Sequence, residues 1–560
     1  MDLQLPACAF HGLMLYAETH YTFRYLGSFL KKREPEILAD APFRIEPNQH
    51  LPVLCIIKDA HLFPVELLHV ATRVVYPSGH VAKRTFPFHT RVADPFWHTV
   101  LDLEPVEYGR ITLDVAFCAR VKDQERLIRN DNFRTASHAP LSVYASSQSL
   151  PNAPGWCFGE PHCHTVYSRD QVEFGAPVAA TAHLARAIGL GWMAVTDHSY
   201  DLDDTPDDPL GHDPMLPLWY QMKAEVSREN REHPEFVTLV GEETSCGNER
   251  GRNVHLLALG THGFVEGQGD SAERWFRTRP QHSAQEALQR IRQDGGVAFA
   301  AHPAEPTPFF QWLLLHRGRW APTDLANPLL HGMQIWNGTN SSGLETGRTR
   351  WIRLLLDGHK KHILGGSDAH GNFNRFRQIG VPFVSIRESD HHLFGSVRTG
   401  LFVGDNLIHQ AVFDALRRGH SIVTDGPFVG LALKGQPALG TAIGRSFHSG
   451  DLVLRVQGMT TDEFGGWDEI VLYQGDLQRK EESIPIRWKG CQLATSFQRE
   501  VPIAAPTPGY VRAEARTVTG RFCMTNPIWT DGQAHSTVSN AQTEPSSALR
   551  PMEDATRNDQ

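Results

Sequence analysis

The sequence lacks the features that mark several specialised classes of protein. Its eight cysteines form no Cys-x-x-Cys pair, which argues against a zinc site built from thiolates. No apolar run comes near ~18 residues, and the N-terminus shows no basic segment followed by a long apolar one. We therefore expect neither a signal peptide nor a transmembrane helix, and we expect a cytoplasmic protein.

The chain also lacks an excess of basic residues. It has 54 Lys and Arg against 63 Asp and Glu, which gives a formal net charge of −9. Binding along a nucleic-acid backbone requires a basic surface, so a nucleic-acid partner is not expected. A small local pocket for an anion is compatible with this charge. We expect a small anionic substrate and no membrane partner, and we leave a homo-oligomer open.

The 560 residues are enough for two or three domains, and a hydrophobic content of 41% is ordinary for a globular protein. Residues 1–150 show short alternating apolar runs such as RITLDVAFCARV, which predict a β-rich N-terminal domain. Similar runs predict a β-rich region over 431–530. The polar tail 531–560 is predicted to be disordered.

Residues 156–430 have a different rhythm. Short hydrophobic strands such as WMAVTDH, FVTLVGEE and GVAFAAHP alternate with helical patterns such as PVAATAHLARAIGLG and SAQEALQRIRQDGG. Alternation of strand and helix over this length predicts a parallel α/β barrel or a doubly wound sheet.

Histidines and acids recur at the C-terminal ends of these strands, where α/β proteins form their sites. His162 and His164 are two residues apart, so on a strand both imidazoles face the same way. Asp368 and His370 share this spacing. The other strand ends carry Asp197 with His198, Glu242 with Glu243, His255, and His302.

A lone histidine in an apolar strand is more often a core residue than a metal ligand. Adjacent carboxylates after a buried strand point to opposite sides, so only one of Glu242 and Glu243 can face a metal. The ordered recurrence over six strand ends nevertheless favours a metal cluster over chance placement.

The ordered set His-x-His, Asp-His, Glu-Glu, His, His-Pro and Asp-x-His resembles the PHP (polymerase and histidinol phosphatase) superfamily over residues 156–430. The segments RTGLFV, ALRRGHSIVTDGPFVGL and TNPIWT resemble its branch of carbaryl-hydrolase-like metallohydrolases. This resemblance implies an α/β fold, a distorted (β/α)7 barrel, flanked here by β-rich, sandwich-like regions.

The resemblance also implies two or three divalent metal ions. One ion would be held by His162, His164, Glu243 and Asp368. Glu243, favoured over Glu242 because it fits the family's Gly-x-Glu pattern after Gly241, would bridge to a second ion held by His255 and His302. A third would be held by His198, His370 and Asp170, where the family usually has a histidine. Imidazoles mixed with carboxylates suit Zn, Mn or Fe.

Further roles concern residues close to these ligands. Glu243 would help to activate water, and Asp197 could shuttle a proton. Arg252, next to a ligand segment, is a candidate catalytic residue. Two more arginines, Arg375 and Arg377, could bind substrate oxygens. Asn337 either positions a ligand or substrate or closes the barrel edge.

The function predicted from this resemblance is metal-dependent hydrolysis, with phosphoesters as the first substrate class. Hydrolysis of carbamate, ester or amide bonds is the alternative within enzymes. The remaining alternative is a non-catalytic metal-binding scaffold.

Overall fold

The computed structural model describes residues 2–5, 34–104, 106–122, 124–133, 137–169, 174–206, 208–270, 278–307, 309–339, 343–375, 378–381, 384–388, 392–436, 438–448, 451–490 and 494–531. The predicted disordered tail lies outside these residues apart from Asp531. Asp170 and Arg377 also lie outside them.

The N-terminal part of the chain forms two β-sheets. One has the order β3-β10-β8-β5-β6, with β9 paired to β8, and the other has the order β2-β4-β7. A separate short strand, β1, pairs with a later hairpin. The strands are β1 (Asp2–Leu5), β2 (Glu36–Asp40), β3 (Arg44–Ile45), β4 (Leu51–Lys58), β5 (Val65–Val75), β6 (Val81–Val92), β7 (Phe96–Leu103), β8 (Gly109–Val121), β9 (Gln124–Arg129) and β10 (Leu141–Ala145).

Alternation of side chains along β8 explains how these two sheets share a core. Leu113, Val115 and Phe117 are buried, because every second residue of a strand faces the same side. They belong to one hydrophobic cluster with Ile37 and Val53 of the other sheet.

The second part of the chain forms one edge of a large mixed sheet, ordered β19-β18-β17-β16-β15-β12-β11-β23-β24. Its strands are β11 (Trp156–His164), β12 (Trp192–Val195), β15 (Val237–Gly247), β16 (Asn253–Leu259), β17 (Val297–Ala300), β18 (Gly332–Asn337), β19 (His362–Gly366), β20 (Ala369–His370), β23 (Arg398–Phe402) and β24 (Ser421–Thr424). Two hairpins lie off this path: β13 (Asp204–Thr205) with β14 (Asp208–His212), and β21 (Gln378–Val381) with β22 (Val384–Glu388).

The predicted distorted (β/α)7 barrel is wrong. Among the described residues, strands make up 44% and helices 16%, far from a regular alternation of the two. β15 pairs with β16 and β16 with β17 in antiparallel fashion, and β11, β23 and β24 are also antiparallel neighbours. The link 248–252 between β15 and β16 explains part of the difference, because a parallel crossover needs about a dozen residues or more.

Eight helices are assigned among the described residues. They are α1 (Val178–Ile188), α2 (Ser199–Leu202), α3 (Pro217–Glu232), α4 (Ala284–Gln293), α5 (Phe309–Leu314), α6 (Pro322–Ala326), α7 (Leu344–Leu356) and α8 (His409–Arg418). Local chemistry sets several of their ends. Ser283 and Glu286 form a capping box at the start of α4, and Gly189 ends α1 in the left-handed conformation. None of the helices in the described ranges is long and apolar enough to cross a membrane.

The last part of the chain continues the large sheet, because β24 pairs with β32 and the order runs on through β31, β28 and β29. A three-stranded sheet, β25-β27-β30, packs beside it. The strands are β25 (Phe428–Leu433), β26 (Ser446–Phe447), β27 (Asp451–Met459), β28 (Trp467–Asp476), β29 (Glu481–Lys489), β30 (Ser496–Ala504), β31 (Gly509–Thr517), β32 (Phe522–Thr525) and β33 (Ile528–Thr530).

Candidate metal centre

Strand pairing brings together the His-x-His motif of His162 and His164 and the Asp-x-His motif of Asp368 and His370. β11 runs parallel to β12 on one side, and its last residues pair with β20, so that His164 lies opposite His370. Because side chains two residues apart on a strand share a face, His162 and His164 point into the same space. Asp368 directly precedes β20 and reaches this space as well.

Four ligand atoms converge at this point. Nε2 of His162 and Nε2 of His164 are 3.2 Å apart. Both lie close to Asp368 Oδ1, at 3.2 and 3.1 Å, and to Glu243 Oε2, at 3.6 and 3.5 Å. Ligands about 2.1 Å from a tetrahedral ion would be separated by about 3.4 Å. The spacing of these four atoms therefore fits one transition-metal ion.

Hydrogen bonds at the far side of each ring orient these two histidines. His162 Nδ1 lies 2.7 Å from Gln334 Oε1, an acceptor, so Nδ1 donates and Nε2 is directed at the cluster. His164 Nδ1 lies 2.8 Å from Ser168 Oγ, which itself donates to Asp197 Oδ1. Such outer contacts set the tautomer that binds a metal.

One amide network orients ligands on two strands. Gln334 uses Oε1 for His162 and donates through Nε2 to Asn337 Oδ1, at 2.8 Å. Asn337 Nδ2 in turn donates to Asp368 Oδ2, at 3.2 Å. Of the two roles left open for Asn337, these contacts favour positioning a ligand, and they do not place it against a substrate.

Glu243 also faces a second group of histidines. Its Oε1 lies 2.6 Å from His255 Nδ1 and 3.0 Å from His302 Nε2, and its Oε2 lies 3.0 Å from His198 Nδ1. The carboxylate therefore has one oxygen on each side of the cluster, which is the arrangement that a bridging ligand requires. Glu242 points elsewhere, accepting hydrogen bonds from Val265 N and Ser199 Oγ.

A charged pair, Asp270 and Arg317, lies behind His255. His255 Nε2 lies 2.9 Å from Asp270 Oδ2, and Arg317 Nε lies 2.8 Å from that same oxygen. Arg317 Nη1 lies 2.6 Å from His255 Nε2. A carboxylate behind a histidine is a common outer support for a metal ligand.

The residues predicted for a third ion are only partly described. Ligand atoms of His164, His198 and His370 lie within 4.8 Å of one another. The rings of His164 and His370 stack, with centroids 4.0 Å apart. Asp170, the remaining predicted ligand, lies outside the described residues. The third ion therefore stays a prediction.

Two candidate ligands have unusual backbone conformations. His302 has φ 30° and Asp368 has φ 52°, values that residues other than glycine adopt rarely. Such conformations cost free energy and persist only where the surrounding structure holds them. Both side chains consequently reach the cluster from turns directly after their strands.

The charges of the cluster call for a cation. Burial opposes ionisation of Glu243 and Asp368, but neighbouring histidines outweigh it and hold both pKa values well below the usual range. Burial likewise lowers the pKa of His162, yet Asp368 and Glu243 raise it to about 10. These two carboxylates therefore require compensating positive charge, which protons or metal ions can supply.

Asp197 lies behind the cluster. Its oxygens accept hydrogen bonds from Thr165 N, Thr165 Oγ1 and Ser168 Oγ, at 2.6, 2.7 and 2.8 Å. Burial raises its pKa to about 6, against the effect of these bonds. The carboxylate thus supports His164 through Ser168, and the described contacts place it against the loop and not facing the ligand atoms.

The two described arginines predicted to act at the site are engaged elsewhere. Arg252 donates to Trp312 O, at 3.1 Å, and its guanidinium lies 4.6 Å from the centre of the Trp312 ring. Arg375 is buried and pairs with Asp40 and Asp131 of the N-terminal part, at 3.4 and 3.8 Å. Arg377 lies outside the described residues.

Four residues of the site were missed by sequence reasoning: Ser168, Gln334, Asp270 and Arg317. Gln334 had a usable signal, because it is a polar residue inside the otherwise apolar strand β18. Asp270 and Arg317 lie on loops, where no periodicity indicates which way a side chain points.

Comparison with known proteins gives no family for this chain. No family model matches it, and no curated protein matches it. Among solved structures it is matched to a mutant β-glucuronidase 2 of Bacteroides uniformis, at 10% identity and a TM-score of 0.18, over 89% of this chain and 61% of that one. A putative β-galactosidase of Bacteroides fragilis gives 9% identity and a TM-score of 0.19, over 89% and 73%. The chain thus spans about three fifths of the first of these structures, and likeness at this level assigns no activity.

The identification as a PHP superfamily member is corrected by these findings. No family model supports it, and the strand pairing is not that of the barrel it implies. The preference for phosphoesters, and the alternative of carbamate, ester or amide bonds, came from that resemblance and is withdrawn with it.

Proposed function

We propose that this chain is a metal-dependent enzyme. Its active centre would hold at least two divalent transition-metal ions, one on each side of Glu243. The observation that carries the proposal is the convergence of four residues: the Nε2 atoms of His162 and His164 lie 3.2 Å apart, and both lie 3.1–3.6 Å from oxygens of Asp368 and Glu243. Buried polar groups need partners, and ligand atoms packed this closely repel one another unless protons or a cation lie between them.

The donor set supports Zn, Mn or Fe over other ions. Imidazole nitrogens mixed with carboxylate oxygens suit these metals, whereas Ca²⁺ prefers oxygen ligands alone. Held at such a centre, divalent ions act as Lewis acids that polarise a substrate oxygen and make water more acidic. The chain's own residues fix the geometry, because Gln334 and Ser168 orient the two histidines of β11.

Exposure of the ligands indicates the side from which a substrate approaches. The side chains of His162 and His164 are fully buried, whereas those of His198, His302 and Asp368 are 14%, 16% and 20% exposed. These three residues follow β12, β17 and β19. We therefore infer that a small molecule would approach the centre from the ends of these strands.

Metal analysis of the purified protein tests the proposal directly. We expect two or more equivalents of Zn, Mn or Fe per chain after loading and removal of excess ion. The double variant His162→Ala/His255→Ala should retain none at the same concentration. Its matched control is His183→Ala/His233→Ala, since both of these histidines lie on the surface with carboxylate partners and away from the cluster.

Activity assays then separate an enzyme from a scaffold. A panel of small anionic substrates should show turnover that disappears on chelation and returns when the ion is restored. Stoichiometric metal binding without any metal-dependent turnover across the panel would leave a binding protein in place of an enzyme. Failure to bind metal would remove the proposal altogether.

A further inference from the structure

Arg317 is held beside the metal centre by the backbone as well as by its side chain. The backbone of Arg317 forms an isolated β-bridge with Asn253, which lies two residues before His255 on β16. Gly318 N donates to Asn253 O, and Asn253 Nδ2 donates to Leu315 O, at 2.7 and 2.9 Å. The guanidinium is consequently fixed against the far side of the His255 ring.

The contacts of His255 Nε2 cannot all be satisfied while His255 binds a metal. His255 faces Glu243 with Nδ1, so an ion there would take the Nδ1 lone pair and the ring proton would sit on Nε2. That proton is donated to Asp270 Oδ2, 2.9 Å away. Arg317 Nη1, at 2.6 Å from Nε2, would then place one N–H donor against another.

We propose that Arg317 lowers the affinity with which His255 binds its ion. The ion on the His255–His302 side would therefore be released faster than the ion on the β11 side. The inference rests on the proposed function, since it presumes that an ion binds between His255 and Glu243. Beyond the proposed function, the position at His255 would release its ion first, and Arg317 would cause the difference in release rate.

Electrostatic interactions explain why Arg317 would lower the affinity for an ion at His255. Asp270 strengthens His255 as a ligand by accepting its Nε2 proton. Arg317 Nε shares the same oxygen of Asp270, at 2.8 Å, and so withdraws part of that negative charge. The guanidinium also repels a cation on the other side of the ring. Both effects lower the affinity of the position.

The opposite position has no such opposing charge among its described outer contacts. Gln334 and Ser168 stand behind His162 and His164, and both are neutral. Ions in two positions so differently supported should leave at different rates.

The test is the rate of ion release to a chelator from protein loaded with Co²⁺ at two equivalents, followed by absorbance. Wild type should release its ions in two phases. Arg317→Gln should slow the faster phase about tenfold or more, the usual size of outer-contact effects, and leave the slower phase unchanged. Asp270→Asn should speed the same phase, while Arg317→Lys, which keeps the charge, should resemble wild type.

Arg319→Gln is the matched control, because it removes one positive charge from an exposed side chain two residues away. It should leave both phases as in wild type. If Arg317→Gln releases its ion as fast as wild type or faster, Arg317 merely positions Asp270 and the inference falls. If wild type itself binds no second ion, the proposed function fails first, which the stoichiometry shows before any variant is made.

Discussion

The two sides of the candidate metal centre are built from different parts of the large sheet, and the difference is instructive. On the side of β11 the two histidines are fully buried, and a neutral amide and a hydroxyl orient them. On the side of β16 a carboxylate and a guanidinium lie behind His255. Each side also has one partly exposed candidate ligand, Asp368 and His302 respectively. Neutral outer contacts would leave the affinity for an ion unopposed, whereas a guanidinium behind a ligand would lower it.

The largest expected effect comes from the one residue that both sides share. Glu243→Gln should abolish binding of both ions at micromolar metal, because a neutral amide cannot serve two cations with its two oxygens. Metal content after gel filtration measures this. Glu242→Gln is the control, since its side chain points away from the cluster, and full metal content is expected there. Loss of ions in the control alone would reverse the assignment of the bridging residue.

A smaller effect should separate the two sides. Asp368→Asn should lose the ion on the β11 side, and His302→Asn the ion on the β16 side, each leaving about one equivalent bound. Asp368 Oδ1 lies beside both β11 histidines, whereas His302 Nε2 lies 3.0 Å from the other oxygen of Glu243. Calorimetric titration counts the remaining sites. Loss of both ions in both variants would show that the two positions do not bind their ions independently.

The proximity of the candidate ligands could be anticipated from sequence, whereas the architecture around them could not. Short apolar runs that end in side chains able to bind metals indicated His162, His164, Asp368 and Glu243, and the structure brings these four together. Their role as metal ligands stays a prediction. The direction in which strands pair depends on contacts far apart in sequence. The five residues 248–252 were the signal for an antiparallel pair, and the barrel prediction overlooked them.

The outer supports were beyond sequence reasoning for a related reason. Asp270 and Arg317 come from loops about 45 residues apart and meet only because Arg317 bridges to Asn253. Arg375 shows the opposite error, since proximity in sequence to His370 suggested a substrate contact. Its partners are instead Asp40 and Asp131, more than two hundred residues earlier.

A still smaller effect should follow from the amide behind His162. Gln334→Leu keeps the volume of the side chain roughly constant and removes the acceptor for Nδ1 and the donor for Asn337. We expect affinity on the β11 side to fall about tenfold, with the other side unaffected. Competition with a fluorescent chelator measures this. Gln281→Leu is the control, because that amide is exposed and donates to Glu266 at the surface. Equal losses on both sides would contradict the independence of the two supports.

The smallest effect on metal binding is expected at the contact with the N-terminal sheets. Burial raises the pKa of Asp40 to about 6 from 3.8, although Arg375 opposes this shift. Folding therefore favours its protonated form, and that contribution to stability is present below pH 4 and lost as the pH rises through 6. The difference corresponds to on the order of 3 kcal/mol.

Asp40→Asn should remove this dependence and leave metal stoichiometry unchanged. Urea unfolding of the variant and wild type at pH 4.5 and pH 7.5 is the measurement. Relative to the variant, wild type should lose stability between the two pH values. A difference in stability that does not change with pH would mean that Asp40 keeps its ordinary pKa in the folded protein.

The single carboxylate of Glu243 has a thermodynamic consequence. In the proposed centre, an ion bound on one side would restrict the rotation of this side chain and so orient its other oxygen for the second ion. The conformational entropy of ordering Glu243 would then be lost once, on binding of the first ion. By linkage the coupling is mutual, because each ion would change the affinity for the other by the same factor. Repulsion between the two cations acts against this gain, so the steepness of the occupancy curve reports which of the two prevails.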